Sequence, residues 1–436
     1  MRNFYLLTAV LCVLLCSGNA RAQLRTITIE ELFELCDNSS KSVEISRLGA
    51  KMAAEGVKVA RSAMLPEVES SLSVSFLGDG CVTDRDFTNF TNADMPHFGN
   101  NFAIKASQVI YAGGAISAGI KQAEIDKKIA EKGVELQKQN IRFLMLGNYL
   151  ELCKLSNRAV IFKKNIEQTE LLVSHIKAKH NAGTALRNDI TRYELRLEQL
   201  RLGLHETENN MRKVNYHIVQ ALGLPDETII APDSAITNYR LQVLSRDQWQ
   251  SEAESNSPIL HIAQLKISKQ QQKEHSVKAE RLPQVALVAA NHLDGPITIE
   301  VPTIDKNFNY WYVGVGLKYN ISALWKANKK SRIERIGTIC AKESAELARE
   351  ETGIAINSAF IALENAYEQL HTQEKSVELA RENYNVVNNR YLNDLALVTD
   401  MIDASNALIE TQLQLVNARI NVIYSTYNLQ RVAGTL

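Results

Sequence analysis

Proline is scarce in this 436-residue chain, and the gaps between its eight occurrences are informative. None falls between Gly99 and Leu224, or between Thr303 and Leu436. A proline inside a helix removes a backbone hydrogen bond and costs about 3 kcal/mol. Both stretches, rich in Ala, Leu, Glu, Lys, Gln and Arg, can therefore form very long helices. Long apolar runs are also missing. Past the N-terminal segment nothing approaches the ~20 apolar residues that a spanning helix needs, so a chain of this kind enters a membrane only as strands. Net charge is absent, with 49 basic and 49 acidic residues, and no strong field recruits nucleic acid or a charged lipid surface. Six cysteines are scattered. Cys36, Cys81, Cys153 and Cys340 lack the spacing of a zinc site or a disulfide framework; they read as free thiols, with a single structural disulfide left open. Catalytic constellations are missing as well. No Ser-His-Asp set, paired carboxylate or phosphate loop stands in a fitting context, and Gly113-Gly114 reads as a strand-to-helix bend. His175 and His180, five apart, do not share a helix face as metal ligands and read as surface residues. These absences predict no enzyme, no cofactor and no metal.

What is present begins with an export signal. Arg2 opens a basic start, an apolar stretch runs from Phe4 to Leu15, and Ala20-Arg21-Ala22 offers a small-residue cleavage site before Gln23. That pattern predicts a signal peptide over residues 1–22, and neither Cys12 nor Cys16 lies in a lipid-attachment context.

The two proline-free stretches resemble each other. An offset of 211 residues superposes Ala185 on Ala396, Leu186 on Leu397, Asp189 on Asp400, Leu197 on Leu408, Tyr216 on Tyr427 and Gly223 on Gly434 without a gap. The apolar seams match: Leu186, Ile190, Tyr193, Leu197, Leu200 and Leu204 against Leu397, Met401, Ala404, Leu408, Thr411 and Leu415. Alternating spacings of four and three are the coiled-coil period. The pattern predicts a tandem duplication, each half ending in an antiparallel helical hairpin. Residues 23–225 form the first repeat, 226–257 a linker and 258–436 the second repeat. From Gly114 to the first turn is about 65 residues, or about 100 Å of helix at 1.5 Å per residue. The turns are expected at Asn181-Ala182-Gly183-Thr184, with Gly183 as left-handed C-cap and Thr184 as the next N-cap, and at Asn393-Asp394.

Each half also opens with two strand-like segments. Val68, Leu72, Val74 and Phe76 alternate with Glu69, Ser71, Ser73 and Ser75; Phe102, Ile104 and Ala106 alternate with Ala103, Lys105 and Ser107. In the second half Val285, Leu287 and Ala289 make one apolar face, and Trp311, Val313, Val315 and Leu317 another. Polar loops, Gly78 to Phe98 and Asn291 to Asn309, link the members of each pair. Two-faced strands of about 9–11 residues fit a membrane barrel as well as a soluble sheet with one wet face. Their position at the far ends of long helices favours the barrel. Four strands cannot close one, and lipid does not tolerate an open edge, so several protomers must pool them.

Signal, duplicated halves, hairpin turns and strand pairs together resemble the TolC family of outer-membrane efflux proteins. The local patterns are Leu65-Pro66-Glu67-Val68 and Leu282-Pro283-Gln284-Val285 before the strands, Gln108-Val109-Ile110-Tyr111-Ala112-Gly113-Gly114, the first tip Gly183-Thr184-Ala185-Leu186-Arg187-Asn188-Asp189-Ile190, and Ala221-Leu222-Gly223-Leu224-Pro225. The resemblance implies a mainly α fold with a membrane β-barrel. Long antiparallel coiled-coil helices would form a periplasmic α-barrel tunnel, and four strands per protomer would pool into a twelve-stranded barrel of a homotrimer in outer-membrane lipid. It also implies a passive export duct that docks by its tips onto a periplasmic adaptor (membrane fusion) protein coupled to an inner-membrane pump of RND or ABC type, in drug or metal efflux or in type I secretion. A periplasmic scaffold or adaptor without a membrane barrel is the alternative.

The resemblance also nominates residues. Asp400 and Asp403 share a helix face and match acidic positions of the family's pore entrance, where three copies would make stacked rings; as an isolated pair they read equally as helix N-terminal charges. Tyr391 matches a position of the network that holds the entrance shut. Gly183, Thr184 and Asp189 match the adaptor-contacting tip, or serve only as turn and cap residues. Asp394 and Ala396 depart from the family's second tip, which leaves its closed-state lock open. Phe87, Phe90 and His97 are loop candidates to cap the pore.

Overall fold

The computed structural model describes residues 24–233, 244–300, 302–393 and 395–436. The signal segment and Asp394 lie outside the described residues. The elements run β1 (Leu24–Ile27), α1 (Ile29–Ser39), α2 (Lys41–Ser62), β2 (Glu67–Phe76), β3 (Gly80–Val82), β4 (Thr91–Ala93), β5 (Phe98–Tyr111), α3 (Ala115–Asn181), α4 (Arg187–Leu222), β6 (Ile229–Pro232), α5 (Arg246–Asn256), α6 (Pro258–Ala279), β7 (Gln284–Gly295), β8 (Phe308–Lys318), α7 (Ala323–Leu392) and α8 (Val398–Ala433). Helices α3 and α7 hold 67 and 70 residues, the unbroken lengths that the missing prolines permit.

The residues fall into two compact units. One contains 48–132 and 261–347; the other contains the described parts of 1–47, 133–260 and 348–436. The boundaries fall inside α2, α3, α6 and α7.

In the first unit β2, β5, β7 and β8 make one antiparallel sheet in that order, open at β2 and β8. The register sorts the side chains as the alternation requires. Leu72 lies opposite Phe102, Phe102 opposite Leu293, Leu287 opposite Val315 and Ala289 opposite Val313 on one face. The other face carries Glu69 opposite Lys105, Ser73 opposite Asn101, and His292 opposite Tyr310. The second loop is shorter than expected. Strand β7 continues through Asn291 to Gly295, because its polar residues find cross-strand partners: Asn291 Nδ2 donates to Asn309 Oδ1 at 3.1 Å, and the His292 ring stacks on Tyr310 at 5.0 Å. The first loop contains a small hairpin, β3–β4. There Phe87, Phe90 and His97 are all exposed, and the His97 ring stacks on Phe76 at 5.2 Å.

The second unit is organised around a core of Ile27, Leu32, Leu146, Tyr149, Ile218 and Leu222. Strand β1 pairs in parallel with β6, a contact that the sequence pattern does not announce. Tyr149 ties it down: its hydroxyl donates to the Ile27 carbonyl at 2.6 Å and accepts the Asp233 N–H at 2.9 Å. Asp37 on α1 receives Arg142 at 2.7 Å and Lys138 at 3.0 Å from α3. Burial alone would push the Asp37 carboxyl up, but the hydrogen bonds from Arg142 and Lys138 outweigh it and hold it below the usual carboxylate range.

Candidate functional site

The nominated tip and entrance residues lie at the two turns of the second unit, α3–α4 and α7–α8. At the first, Gly183 takes φ +78°, a left-handed conformation that costs glycine little. The N–H and hydroxyl of Thr184 both donate to the Lys179 carbonyl, at 2.9 and 3.1 Å. At the second, Leu395 N–H donates to the Arg390 carbonyl at 2.8 Å. Thr184 and Lys179 map onto Leu395 and Arg390 under the repeat offset, so the two turns close by the same bond.

The capping differs from expectation. Thr184 is not the N-cap of α4; its hydroxyl is directed back to the end of α3. The N-caps are Leu186 and Leu397, which have no side-chain acceptor. Their N–H groups are instead satisfied from inside the helix. Asp189 Oδ2 accepts from Leu186 N at 3.3 Å and Asp400 Oδ2 from Leu397 N at 3.0 Å. Each carboxylate thereby completes half of a capping box and faces the positive end of the helix dipole.

Beneath the turns Val173, Ile176, Tyr193, Tyr391 and Met401 form one buried cluster joining both hairpins. Tyr391 is 7% exposed, and the Lys179 ammonium lies 5.3 Å from its ring centroid, a cation–π contact. Under the offset Tyr391 occupies the place of His180. His180 is not a plain surface residue: its Nδ1–H donates to the Ala185 carbonyl at 2.8 Å and clasps the turn. Spacing alone could not reveal this, because the acceptor is a backbone atom across a bend. Tyr193 is buried with no partner for its hydroxyl; burial, reinforced by Tyr391 and Tyr384, pushes its phenol well above the ordinary range.

A groove of about 410 Å³ runs between the turns, with Thr184, Asp189, Arg192, Tyr391 and Leu397 in its lining. The structure thus brings Thr184, Asp189 and Tyr391 together. Gly183 stands exposed beside them, and Asp400 and Asp403 lie exposed on the first turns of α8 outside that lining. Leu186 and Leu397 are about 70% exposed, at 71% and 70%, leaving apolar knobs at the turns. Among the described residues no group of His, Cys, Asp and Glu could hold a metal ion.

Residues 249–435 match the family described as outer membrane efflux protein. Over these residues the chain is similar to that family. It is 22% identical over 394 residues to the outer membrane efflux protein BepC of Brucella suis biovar 1 (strain 1330), covering 90% of this chain and 82% of that protein. Its fold is that of the outer-membrane channel OprN, at 14% identity with 94% and 90% of the two chains covered and a TM-score of 0.75. The outer membrane protein VceC of Vibrio cholerae shares it at 14% identity, 93% and 96% coverage and a TM-score of 0.75. So does the CmeC outer membrane channel of Campylobacter jejuni, at 13% identity, 93% and 85% coverage and a TM-score of 0.74. The likeness in fold to these solved structures extends over more than nine-tenths of the chain, beyond residues 249–435.

Proposed function

We propose that this protein is the passive outer-membrane channel of a tripartite efflux or secretion system. The observation that carries the reading is the open four-stranded sheet. Its strands hold 10, 14, 12 and 11 residues, and the apolar side of its edge strands is bare, with Leu72 71%, Trp311 73% and Leu317 71% exposed. Water would penalise such a surface, and lipid would penalise the two unpaired edges. Lipid against that face removes the first cost, and pairing of the β8 edge of one copy with the β2 edge of the next in a closed ring removes the second. Three copies give the twelve strands that the family resemblance implies. The helices then form a tunnel in the periplasm, and residues 23–225 and 258–436 act as two repeats around it.

At the tunnel entrance Asp400 and Asp403 would contribute acidic rings. Gly183, Thr184 and Asp189, with the exposed leucines beside them, would meet a periplasmic adaptor that connects to an RND or ABC pump. Tyr391 would hold the two hairpins together from within. The energy is spent at the inner membrane, and the duct itself carries no chemistry.

The test is the detergent-extracted protein in a planar bilayer, with its mass measured in the same preparation. Trimer-sized particles giving stable cation-selective channels support the reading. A water-soluble monomer without conductance overturns it in favour of a periplasmic scaffold. Asp403→Ala alone should weaken cation preference without loosening the helix end, because only Asp400 carries the cap; unchanged selectivity in the Asp400→Ala, Asp403→Ala double variant would remove the ring from the proposal.

A further inference from the structure

The polar face of the sheet carries an ordered set of side chains at the end remote from the helices. Across one row stand Ser73, Asn101, Asp294 and Phe308; across the next stand Ser71, Ala103, His292 and Tyr310. His292 stacks on Tyr310 at 5.0 Å and Phe308 on Tyr310 at 5.3 Å, with interplanar angles of 9° and 26°. The rings form a short rail, and Phe308 and Tyr310 remain partly exposed. Asn101 Nδ2 donates to Asp294 Oδ1, and the other carboxylate oxygen has no hydrogen bond among the described residues. Above them the segment after Gly295 folds over, held by reciprocal backbone bonds between Ile297 and Ile304 at 3.0 and 3.1 Å. The result is a pocket of about 500 Å³ whose lining holds one carboxylate, two aromatic rings and no basic side chain.

Each feature selects for the same ligand chemistry. Aromatic faces are negative and attract cations, most strongly where water is partly excluded. The carboxylate adds a fixed negative charge. A single carboxylate gives too few oxygens for a calcium or magnesium ion, whereas 500 Å³ lies within the range of small-molecule pockets. We infer that this pocket is a binding site for organic cations with an apolar or aromatic body, such as quaternary or aromatic amines. The channel reading enters only in making the polar face the wetted lumen and this end the external mouth. There the site would hold such a cation on its way out, or admit one from outside as a blocker.

The experiment titrates benzyltrimethylammonium into the purified, detergent-solubilised protein by calorimetry, with benzenesulfonate as the ring of opposite charge. In parallel, the current through the channel is recorded with each compound on the loop side. Benzyltrimethylammonium should bind and block, and benzenesulfonate should do neither. Asp294→Asn should weaken binding about tenfold and Tyr310→Leu or Phe308→Leu about threefold to tenfold, whereas Tyr310→Phe keeps the ring and stays near wild type. Particle mass reports whether each variant still assembles. Equal binding by wild type and Asp294→Asn, or equal binding of the two ring compounds, overturns the assignment. Binding without any conductance would uphold the site and count against the channel; conductance with no effect of the cation would do the reverse.

Discussion

Gly113 links strand β5 to helix α3 at φ +62°, and a Cβ added there would lie 2.8 Å from Leu282 Cβ and 2.9 Å from the Ala279 carbonyl. Neither neighbour is the far end of a flexible chain. Gly113→Ala therefore combines left-handed strain of about 1 kcal/mol or more with a backbone clash, and should lower the yield of membrane-extractable protein sharply. Gly114→Ala, with only Ser117 Oγ at 3.8 Å, should meet the strain alone and lose less. The cysteines divide in the same local way. Burial pushes the Cys36 and Cys153 thiols up to about 12, so neither is a thiolate at neutral pH, while Cys81 and Cys340 are exposed. Maleimide should label Cys81 and Cys340 in the folded protein and reach the other two only after denaturation. The free state of these thiols and the bend at Gly113-Gly114 were legible from spacing. The roles of Thr184 and His180 were not, since both bond backbone atoms brought close only by the turn.

The hairpin seams show why element-level reading works. Tyr193, Leu197 and Leu200, and in the second copy Met401, Ala404 and Leu408, are all buried where the heptad puts them. The seam fails at its first members, Leu186 and Leu397, because a residue at the N-cap has already left the helical path. Close packing adds a detail that periodicity cannot supply: a Cβ at Gly203 on α4 would meet the Phe162 ring of α3 at 2.9 Å. Gly203→Val should destabilise that hairpin by about 1–3 kcal/mol, seen as earlier loss of helical circular dichroism on heating. The tie from α1 to α3 gives a pH signature. Asp37 titrates below its unfolded value of about 3.9. Its stabilisation is present above that value and is lost as pH falls through the folded pKa. Asp37→Asn should lower the thermal midpoint at pH 7, and the difference from wild type should shrink and vanish as pH falls through the folded pKa. An equal difference at both extremes would mean that the contact acts through packing rather than charge.

For the whole molecule the decisive quantity is what a single copy leaves unpaired. The two-faced alternation made the sheet and its pairs legible, but the pairing of β5 with β7, across the two halves, was not. Nothing local in either strand specifies a partner so distant. The same alternation gives a clean assembly test. Val313 and Tyr312 are adjacent on β8 and point to opposite faces. Val313→Arg puts a charge on the side assigned to lipid and should cost about 2–4 kcal/mol near mid-membrane; Tyr312→Arg puts the same charge on the side assigned to the lumen. Detergent-stable oligomer recovered from membranes should fall strongly for the first and little for the second. Equal recovery would mean that the sheet does not sit in lipid with that face outward.

The β5–β7 pairing also imposes an order in time. Asn101 and Asp294 are hydrogen-bonded neighbours 193 positions apart, so the two central strands cannot meet until two-thirds of the chain has been made and delivered. Until then β2 and β5 form an isolated hairpin with both edges bare and one side apolar, a slow-folding, aggregation-prone state. Export of this protein should consequently depend on a holding factor that keeps the first half from self-association while the second half crosses. A chain cut short before Gln284 should accumulate as an insoluble species rather than as half a channel.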